Sequence, residues 1–181
     1  MRKTFKTLGI IIIIVIIGYV FKLVNDYSFS GNKDIKIIEN YDKILTLSEL
    51  IQRDKFKNKV LYIDLWGVHC KPCIKEFKHL PELKERYKNS DVEFIYLASP
   101  YKRINDTQEW KTAIKKYDLH GYNLLMNIDF YYDIWEEVPE MKNKYNIPHF
   151  LLVDKNGKIV NSNAPKPSNK SELYKEINKL L

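Results

Sequence analysis

Two apolar runs near the middle of the chain have the pattern of strands that are buried on both faces of a sheet. They are "KVLYIDLW" at residues 59–66 and "VEFIYLAS" at residues 92–99. Both are nearly continuous in apolar residues, which is typical of central strands in a mostly parallel sheet. We therefore predict two buried strands here.

The segment between these two runs changes to a helical period. Its apolar side chains recur every three or four residues, at Ile74, Phe77, Leu80, Leu83 and Tyr87. Pro81 lies inside the segment, and proline removes one backbone donor and clashes with the preceding turn. We therefore predict an amphipathic helix that begins near Pro72 and is kinked.

The remaining elements complete an alternation of strands and helices. A short edge strand is predicted at residues 34–40, and a strand end leading into a helix at residues 45–58. Asp106 opens a further helix as its N-cap, "YNLLMNI" is a short strand, and the next helix is interrupted at Pro139. A hairpin turns at Asn156-Gly157, and a last helix starts near Asn169. The pattern predicts an α/β domain, a mixed sheet covered by helices on both faces.

The first 24 residues have the composition of a membrane-targeting segment. Arg2, Lys3 and Lys6 precede an apolar run at residues 8–21, which Lys22 follows. The candidate span at residues 8–24 has 17 residues, at the low end for crossing about 30 Å of hydrocarbon. We expect an uncleaved single-pass anchor in contact with the lipid bilayer. A signal peptide cleaved after Ser30 and a buried core helix are the alternatives.

This leader sets the predicted domain organisation. Residues 1–24 form the signal anchor, residues 25–33 a polar stalk, and residues 34–181 one domain. The basic flank keeps the N-terminus in the cytoplasm and places the domain outside it. Removing the leader's four positive charges from the net charge of +7 leaves +3. That value, with lysines scattered among acids, argues against a nucleic-acid partner.

Cys70 and Cys73 are the only cysteines in the chain, and they stand where the first buried strand gives way to the helix. Pro72 suits the first helical turn. The free N–H groups and the positive end of the helix dipole should lower the pKa of the Cys70 thiol below its usual value of about 8.5. Lys71 adds a neighbouring positive charge. We expect Cys70 to attack a substrate and the more buried Cys73 to resolve the mixed disulfide.

Two other interpretations of the cysteine pair stay open at this point. Zinc would need two more ligands, and only scattered histidines are available: His69, His79, His120 and His149. A copper site built from the two cysteines and a histidine is the better form of this alternative. A purely structural disulfide is the weaker one, because so short a loop gains little entropy. We assign no metal ligands.

The segment "YIDLWGVHCKPC", followed about 75 residues later by "YNIPHFLLVDKNGKIV", resembles the membrane-tethered TlpA/ResA-type thiol–disulfide oxidoreductases of the thioredoxin superfamily. The resemblance covers roughly residues 34–181 and implies a thioredoxin-like fold. It also implies that residues 99–145 hold the extra strand and helix of the TlpA group.

The resemblance implies a role for several further residues. Ile147-Pro148 should be a cis bond that faces the cysteines and leaves the Ile147 backbone ready to pair with an extended substrate; an ordinary trans proline is the alternative. Asp64 should be a buried acid with a raised pKa that exchanges a proton with Cys73; a structural, hydrogen-bonded Asp64 is the alternative. The predicted substrate-binding residues are Trp66, Lys71, Pro72, Ile147 and Pro148, although Trp66 is equally explained as a core residue.

The sequence departs from the family at two histidines. His69 stands where the family usually has a second tryptophan, and an imidazolium there would stabilise the Cys70 thiolate and favour the oxidising direction; a simple surface role is the alternative. His149 after Pro148 is also unusual, and if both histidines face the sulfurs the copper interpretation gains weight. We assign no additional acid near the cysteines.

The predicted function is disulfide exchange with extracytoplasmic proteins at a bacterial cytoplasmic (inner) membrane. The resemblance implies a reductant, for instance of apocytochrome c before haem attachment. Electrons would come from a membrane donor protein, since the chain has no dinucleotide motif, and no cofactor is needed beyond the two sulfurs. The alternatives are a thioredoxin-like copper metallochaperone and a non-catalytic tethered interaction domain.

Overall fold

The computed structural model describes residues 12–20, 34–101, 106–138 and 144–181. Residues 12–20 form a helical stretch, α1, with exposed apolar side chains. Within the described ranges, we find no helix with the length and apolar character that a bilayer crossing requires. The predicted stalk at residues 25–33 lies outside these ranges, and so do both ends of the predicted anchor, residues 1–11 and 21–24. Ile35–Leu181 forms one compact unit.

Six strands form one sheet in the order β1-β4-β3-β2-β5-β6. The strands are β1 (Ile35–Ile37), β2 (Val60–Trp66), β3 (Val92–Ala98), β4 (Gly121–Leu125), β5 (His149–Val153) and β6 (Ile159–Asn161). The first four run parallel to their neighbours, whereas β5 is antiparallel to β2 and β6 is antiparallel to β5. The predicted edge strand, the two buried strands and the hairpin are confirmed, and with them the α/β fold.

Six helices accompany this sheet within the compact unit's described residues. They are α2 (Leu47–Ile51), α3 (Lys71–Phe77), α4 (Leu80–Tyr87), α5 (Asp106–Lys116), α6 (Ile128–Glu137) and α7 (Lys170–Asn178). The kink predicted from Pro81 is a break between α3 and α4. Pro81 thus occupies the first turn of α4, where its missing N–H has no helical partner to lose.

Three local predictions need correction or fall outside the described residues. No strand leads directly into α2, because Thr46 already caps that helix by accepting a hydrogen bond from the Glu49 N–H (3.0 Å). Asp106 is the first residue of α5 rather than a cap before it. The structure describes α6 to its end at Glu137, and Pro139 lies outside the described residues.

The side chains of β2 alternate between two differently composed faces of the sheet. One, the apolar face, carries Leu61, Ile63 and Leu65 of β2 and packs in a core with α2 and α6. The other, the acid face, carries Tyr62, Asp64 and Trp66 and is covered by α3, where Trp66 meets Phe77 edge-on with ring centroids 5.3 Å apart. All seven β2 residues are buried, as predicted.

Candidate active site

The two cysteines lie at the junction of β2 and α3 and are joined by a disulfide. A turn closed by the Cys70 N–H and the Gly67 carbonyl (2.9 Å) leads from the strand to the helix. Cys70 is the N-cap of α3, and its sulfur accepts a hydrogen bond from the Cys73 N–H at 3.2 Å. Cys70 is 9% exposed and Cys73 is 0% exposed. The predicted placement is confirmed, and Cys70 is the sulfur nearer the surface.

Asp64 lies within β2 on the acid face and is 1% exposed. Neither of its carboxylate oxygens has a hydrogen-bond partner among the described residues. Burial, reinforced by the negative charge of Glu76, raises the pKa of Asp64 well above its ordinary 3.8, while Lys84 opposes the shift. The expected raised pKa is confirmed, and the alternative of a hydrogen-bonded structural carboxylate lacks its hydrogen bonds here. Proton exchange with Cys73 stays a prediction.

The bond between Ile147 and Pro148 is cis, as expected. Pro148 and Pro72 line one cleft of about 460 Å³, together with Glu76, His149, Phe150 and Lys166 among others. Ile147 reaches the turn before the cysteines, because a Cβ placed on Gly67 would lie 2.9 Å from its Cδ1. The structure therefore brings the Ile147-Pro148 segment and the first turn of α3 together, as the sequence predicts.

The other three predicted substrate-binding residues occupy different environments. Lys71 and Pro72 are exposed in the first turn of α3, where an incoming polypeptide could reach them. Trp66 is 0% exposed, so its side chain offers no surface to a substrate in this structure. This burial favours the core role that the sequence analysis gives as its alternative, and substrate binding by all five residues stays a prediction.

The two unusual histidines bind different partners. His69 Nε2 lies 3.1 Å from Glu109 Oε2 on α5. His149 is buried, packs edge-on against Trp135 with centroids 5.4 Å apart, and donates from Nε2 to the Ser162 carbonyl at 2.7 Å. Burial lowers the pKa of His149, and the hydrogen bond to Ser162 opposes that shift.

These contacts bear on the copper alternative. Across residues 12–20, 34–101, 106–138 and 144–181, no three His, Cys, Asp or Glu side chains are grouped so that they could hold a metal ion. Nε2 of His69 contacts Glu109, and Nε2 of His149 contacts the Ser162 carbonyl. No observation in this part of the chain favours the copper interpretation.

Comparison with known proteins decides the family. The model of the Redoxin family matches residues 30–177, which is most of the chain. The chain belongs to the redoxin family. The thiol-disulfide oxidoreductase ResA of Bacillus cereus is 28% identical to it over 164 residues, covering 88% of each chain.

Solved structures agree with this assignment. The thioredoxin domain of a thiol-disulfide oxidoreductase from Bacteroides vulgatus matches the redoxin with a TM-score of 0.55 and 26% identity, over 69% of this chain and 81% of that one. A thiol:disulfide interchange protein from Bacteroides sp. matches with a TM-score of 0.56 and 25% identity, over 68% and 76%. The redoxin is thus a thiol–disulfide oxidoreductase of the TlpA/ResA type in the thioredoxin superfamily.

The structure adds one acid that the sequence analysis of this redoxin missed. Glu76 is 8% exposed and accepts hydrogen bonds from the backbone N–H (2.9 Å) and the hydroxyl (3.1 Å) of Ser168. Lys166 Nζ lies 3.8 Å from its Oε1. The signal was present, because Glu76 follows Cys73 by three residues in a helix and so shares its buried face. Two buried carboxyl groups, Asp64 of β2 and Glu76 of α3, therefore interact in this part of the redoxin.

Proposed function

We propose that this redoxin acts as a reductant of protein disulfides outside the bacterial cytoplasm, held at the inner membrane by residues 8–24. The observation that supports this most is the pairing of a nearly buried disulfide with the cleft at Pro148. An extended substrate segment pairing beside Ile147 would bring its own disulfide to Cys70, the more exposed sulfur. We include apocytochrome c awaiting haem among the substrates, as the resemblance to TlpA/ResA-type proteins implies.

The proposed reaction transfers two electrons from the reduced Cys70–Cys73 dithiol to a substrate disulfide. The Cys70 thiolate attacks a substrate disulfide, forming a Cys70–substrate bond and releasing one substrate thiolate. Cys73 then loses its proton and attacks the Cys70 sulfur, which frees the second substrate thiolate and leaves the Cys70–Cys73 disulfide. We propose that Asp64, whose burial raises its pKa, exchanges that proton. No cofactor beyond the two sulfurs takes part.

The proposed electron donor is a membrane protein that reduces the Cys70–Cys73 disulfide after each turnover. The basic leader supports this placement, since its positive residues favour a cytoplasmic N-terminus and an extracytoplasmic domain. The donor would use the same sulfur, the more exposed of the two, in the reverse exchange, attacking Cys70 with its own thiolate.

The Cys73→Ala variant tests this function. Without a resolving thiol, mixed disulfides between Cys70 and substrate proteins should accumulate in cells. Non-reducing gels would detect them. Cys70→Ala is the matched control, because it keeps one cysteine but removes the attacking one, and it should trap nothing. Absence of trapped substrate in the Cys73→Ala variant would contradict the proposal.

The reduction potential of the pair tests the direction. A reductant should have a potential near that of thioredoxin, about −270 mV, or below it, whereas a value near that of DsbA, about −120 mV, would make the protein an oxidant. The measurement is equilibration of the full chain with glutathione buffers of graded ratio. A value at the oxidising end would overturn the reductant proposal and leave the oxidoreductase assignment intact.

A further inference from the structure

A second group of polar side chains lies next to the disulfide, and none of its members lines the Pro148 cleft. His69 immediately precedes Cys70 in the turn that the Cys70 N–H closes on the Gly67 carbonyl. The His69 ring leaves this turn and meets Glu109 on α5, with Nε2 and Oε2 separated by 3.1 Å. The contact joins residues that are 40 positions apart in the chain.

The contact with Glu109 determines which nitrogen of His69 carries the hydrogen. An ionised carboxylate only accepts hydrogen bonds, so Nε2 must donate. In the neutral ring, Nδ1 therefore keeps its lone pair, and the imidazole is prepared to accept a proton at that atom. Tyr101 restrains the ring further by an edge-on contact with centroids 5.1 Å apart.

The start of α5 positions both residues that contact the His69 ring, Glu109 directly and Tyr101 through Asp106. Asp106 accepts a hydrogen bond from the Tyr101 N–H at 2.8 Å, and Glu109 follows one helical turn later. A Cβ placed on Gly67 would lie 2.9 Å from the Tyr101 hydroxyl, so this tyrosine also packs against the turn that carries His69. The ring is thus fixed by contacts from two separate segments of the chain.

The surroundings of the pair are open to water and carry charges of both signs. His69 and Glu109 line a cavity of about 530 Å³ with Gln108, Thr112 and Lys116 from α5 and Tyr117 at its end, among others. Their side chains are 47% and 38% exposed, so protons can exchange with solvent. From α5, Glu109 contacts the ring and Lys116 lines the same cavity, and Lys71 follows Cys70 in its own segment.

We propose that His69 is the acid–base partner of Cys70 and that Glu109 is the positioning residue that makes this possible. The proposal rests on the disulfide exchange proposed above and not on its direction. In the reduced protein, Nδ1 of His69 takes the proton of the Cys70 thiol, giving a thiolate and an imidazolium. The thiolate attacks the substrate disulfide, one S–S bond forms as the other breaks, and the departing substrate thiolate takes the proton back from His69. Electrons and protons balance within this step.

Glu109 contributes something that a neutral residue would not reproduce. Its carboxylate oxygen lies 3.1 Å from Nε2, and because it only accepts hydrogen bonds it keeps the hydrogen on Nε2. With the charge removed, the neutral ring is free to carry its hydrogen on Nδ1, which then cannot accept the thiol proton. The loss should therefore be greatest near neutral pH and vanish at high pH, where the Cys70 thiol ionises without help.

The test is the pH dependence of Cys70 alkylation by iodoacetamide, in the Cys73→Ala background so that one thiol reacts. Glu109→Gln should lower the rate at pH 7 by about tenfold, less than the 10² to 10⁴ typical of enclosed general acid–base pairs because this pair is half exposed. The rates of the variant and its parent should converge at high pH. His69→Ala should have the same effect, and adding Glu109→Gln to it should change nothing more.

The matched control is His120→Ala, which removes a histidine–carboxylate pair of similar exposure, Nε2 to Asp118 Oδ1 at 2.8 Å, that lines neither cavity. It should leave the alkylation profile unchanged. Two results would overturn the proposal. One is an unchanged alkylation profile in Glu109→Gln, and the other is an equal loss of rate from Glu109→Gln in the presence and absence of His69. Alkylation needs no protein substrate, so a shifted profile without trapped substrate would refute the proposed function and not this pair.

Discussion

The two faces of the central sheet are equally buried but are built for different tasks. On the apolar face, Leu61, Ile63 and Leu65 belong to a core of buried hydrophobic side chains. On the acid face, the alternate residues of the same strand include Asp64, whose oxygens find no partner in the described chain. One strand thus supplies both the main stabilising contacts and a carboxyl group that costs stability when ionised.

The difference shows where the fold tolerates unfavourable burial. An ionised carboxylate without hydrogen bonds is costly in an apolar environment, and Glu76 adds repulsion. In the proposed function, this unfavourable burial has a use, because an acid of raised pKa would move protons for the disulfide exchange. The apolar face contains a smaller exception at its edge, His149, which is buried against Trp135 and pairs with Ser162.

The largest expected effect is on the apolar face. Ile63→Ala removes a side chain that is 0% exposed and should lower the free energy of unfolding by about 2–5 kcal/mol, through lost burial and the remaining cavity. Urea titration followed by circular dichroism measures it. The rate of disulfide exchange per folded molecule should not change.

The control for Ile63 is Val160→Ala, a β-branched residue that is 43% exposed. Its effect should stay within about 0.5 kcal/mol, as for most surface substitutions. Equal losses at the two positions would show that the apolar face does not provide the principal core.

The acid face should respond to Asp64→Asn with a change of pH dependence. Because the folded pKa of Asp64 is raised above 3.8, the folded state binds more protons than the unfolded state between the two values. The wild type therefore loses stability as pH rises from about 3.8 to the raised pKa. The asparagine variant lacks this loss and should be more stable than the wild type above that window, while resolution of mixed disulfides slows.

Unfolding free energies of the oxidised protein, measured from pH 4 upward for both forms, test this. Asp54→Asn is the control, since the Lys57 hydrogen bond lowers the pKa of that exposed carboxyl, and its removal should not relieve the decline. If the unfolding free energy of Asp64→Asn declined with pH as steeply as that of the wild type, the decline could not be assigned to Asp64.

The smallest expected effect is at His149. Burial holds its folded pKa below 6.5, so the unfolded state binds more protons between the folded pKa and 6.5. Stability contributed by neutral His149 is therefore complete above pH 6.5 and is lost as pH falls through the folded value. His149→Gln keeps a donor for Ser162 and does not titrate. The unfolding free energy of the variant minus that of the wild type should therefore rise as the pH falls. A flat difference curve would show that His149 does not titrate differently on folding.

The sequence predicts the parts of this protein that depend on neighbours in the chain. The apolar run of β2, the helical period after Pro72 and the Asn156-Gly157 turn are local signals, and each produces the expected element. The cysteine pair is equally local, because two residues at the start of a helix must lie within one turn of each other. The cis bond at Pro148 and the raised pKa of Asp64 followed from the family resemblance and from a carboxylate interrupting an apolar strand.

Only the tertiary structure decided what faces these groups. Glu109 meets His69 because α5 packs beside the turn before Cys70, and no spacing in the sequence records that approach. Glu76 interacts with Asp64 because α3 lies on the acid face of β2. His149 forms its hydrogen bond with Ser162 across the hairpin and not with the sulfurs. Period and composition determine which side of an element is buried, whereas the partner of a buried polar group depends on how separate elements pack.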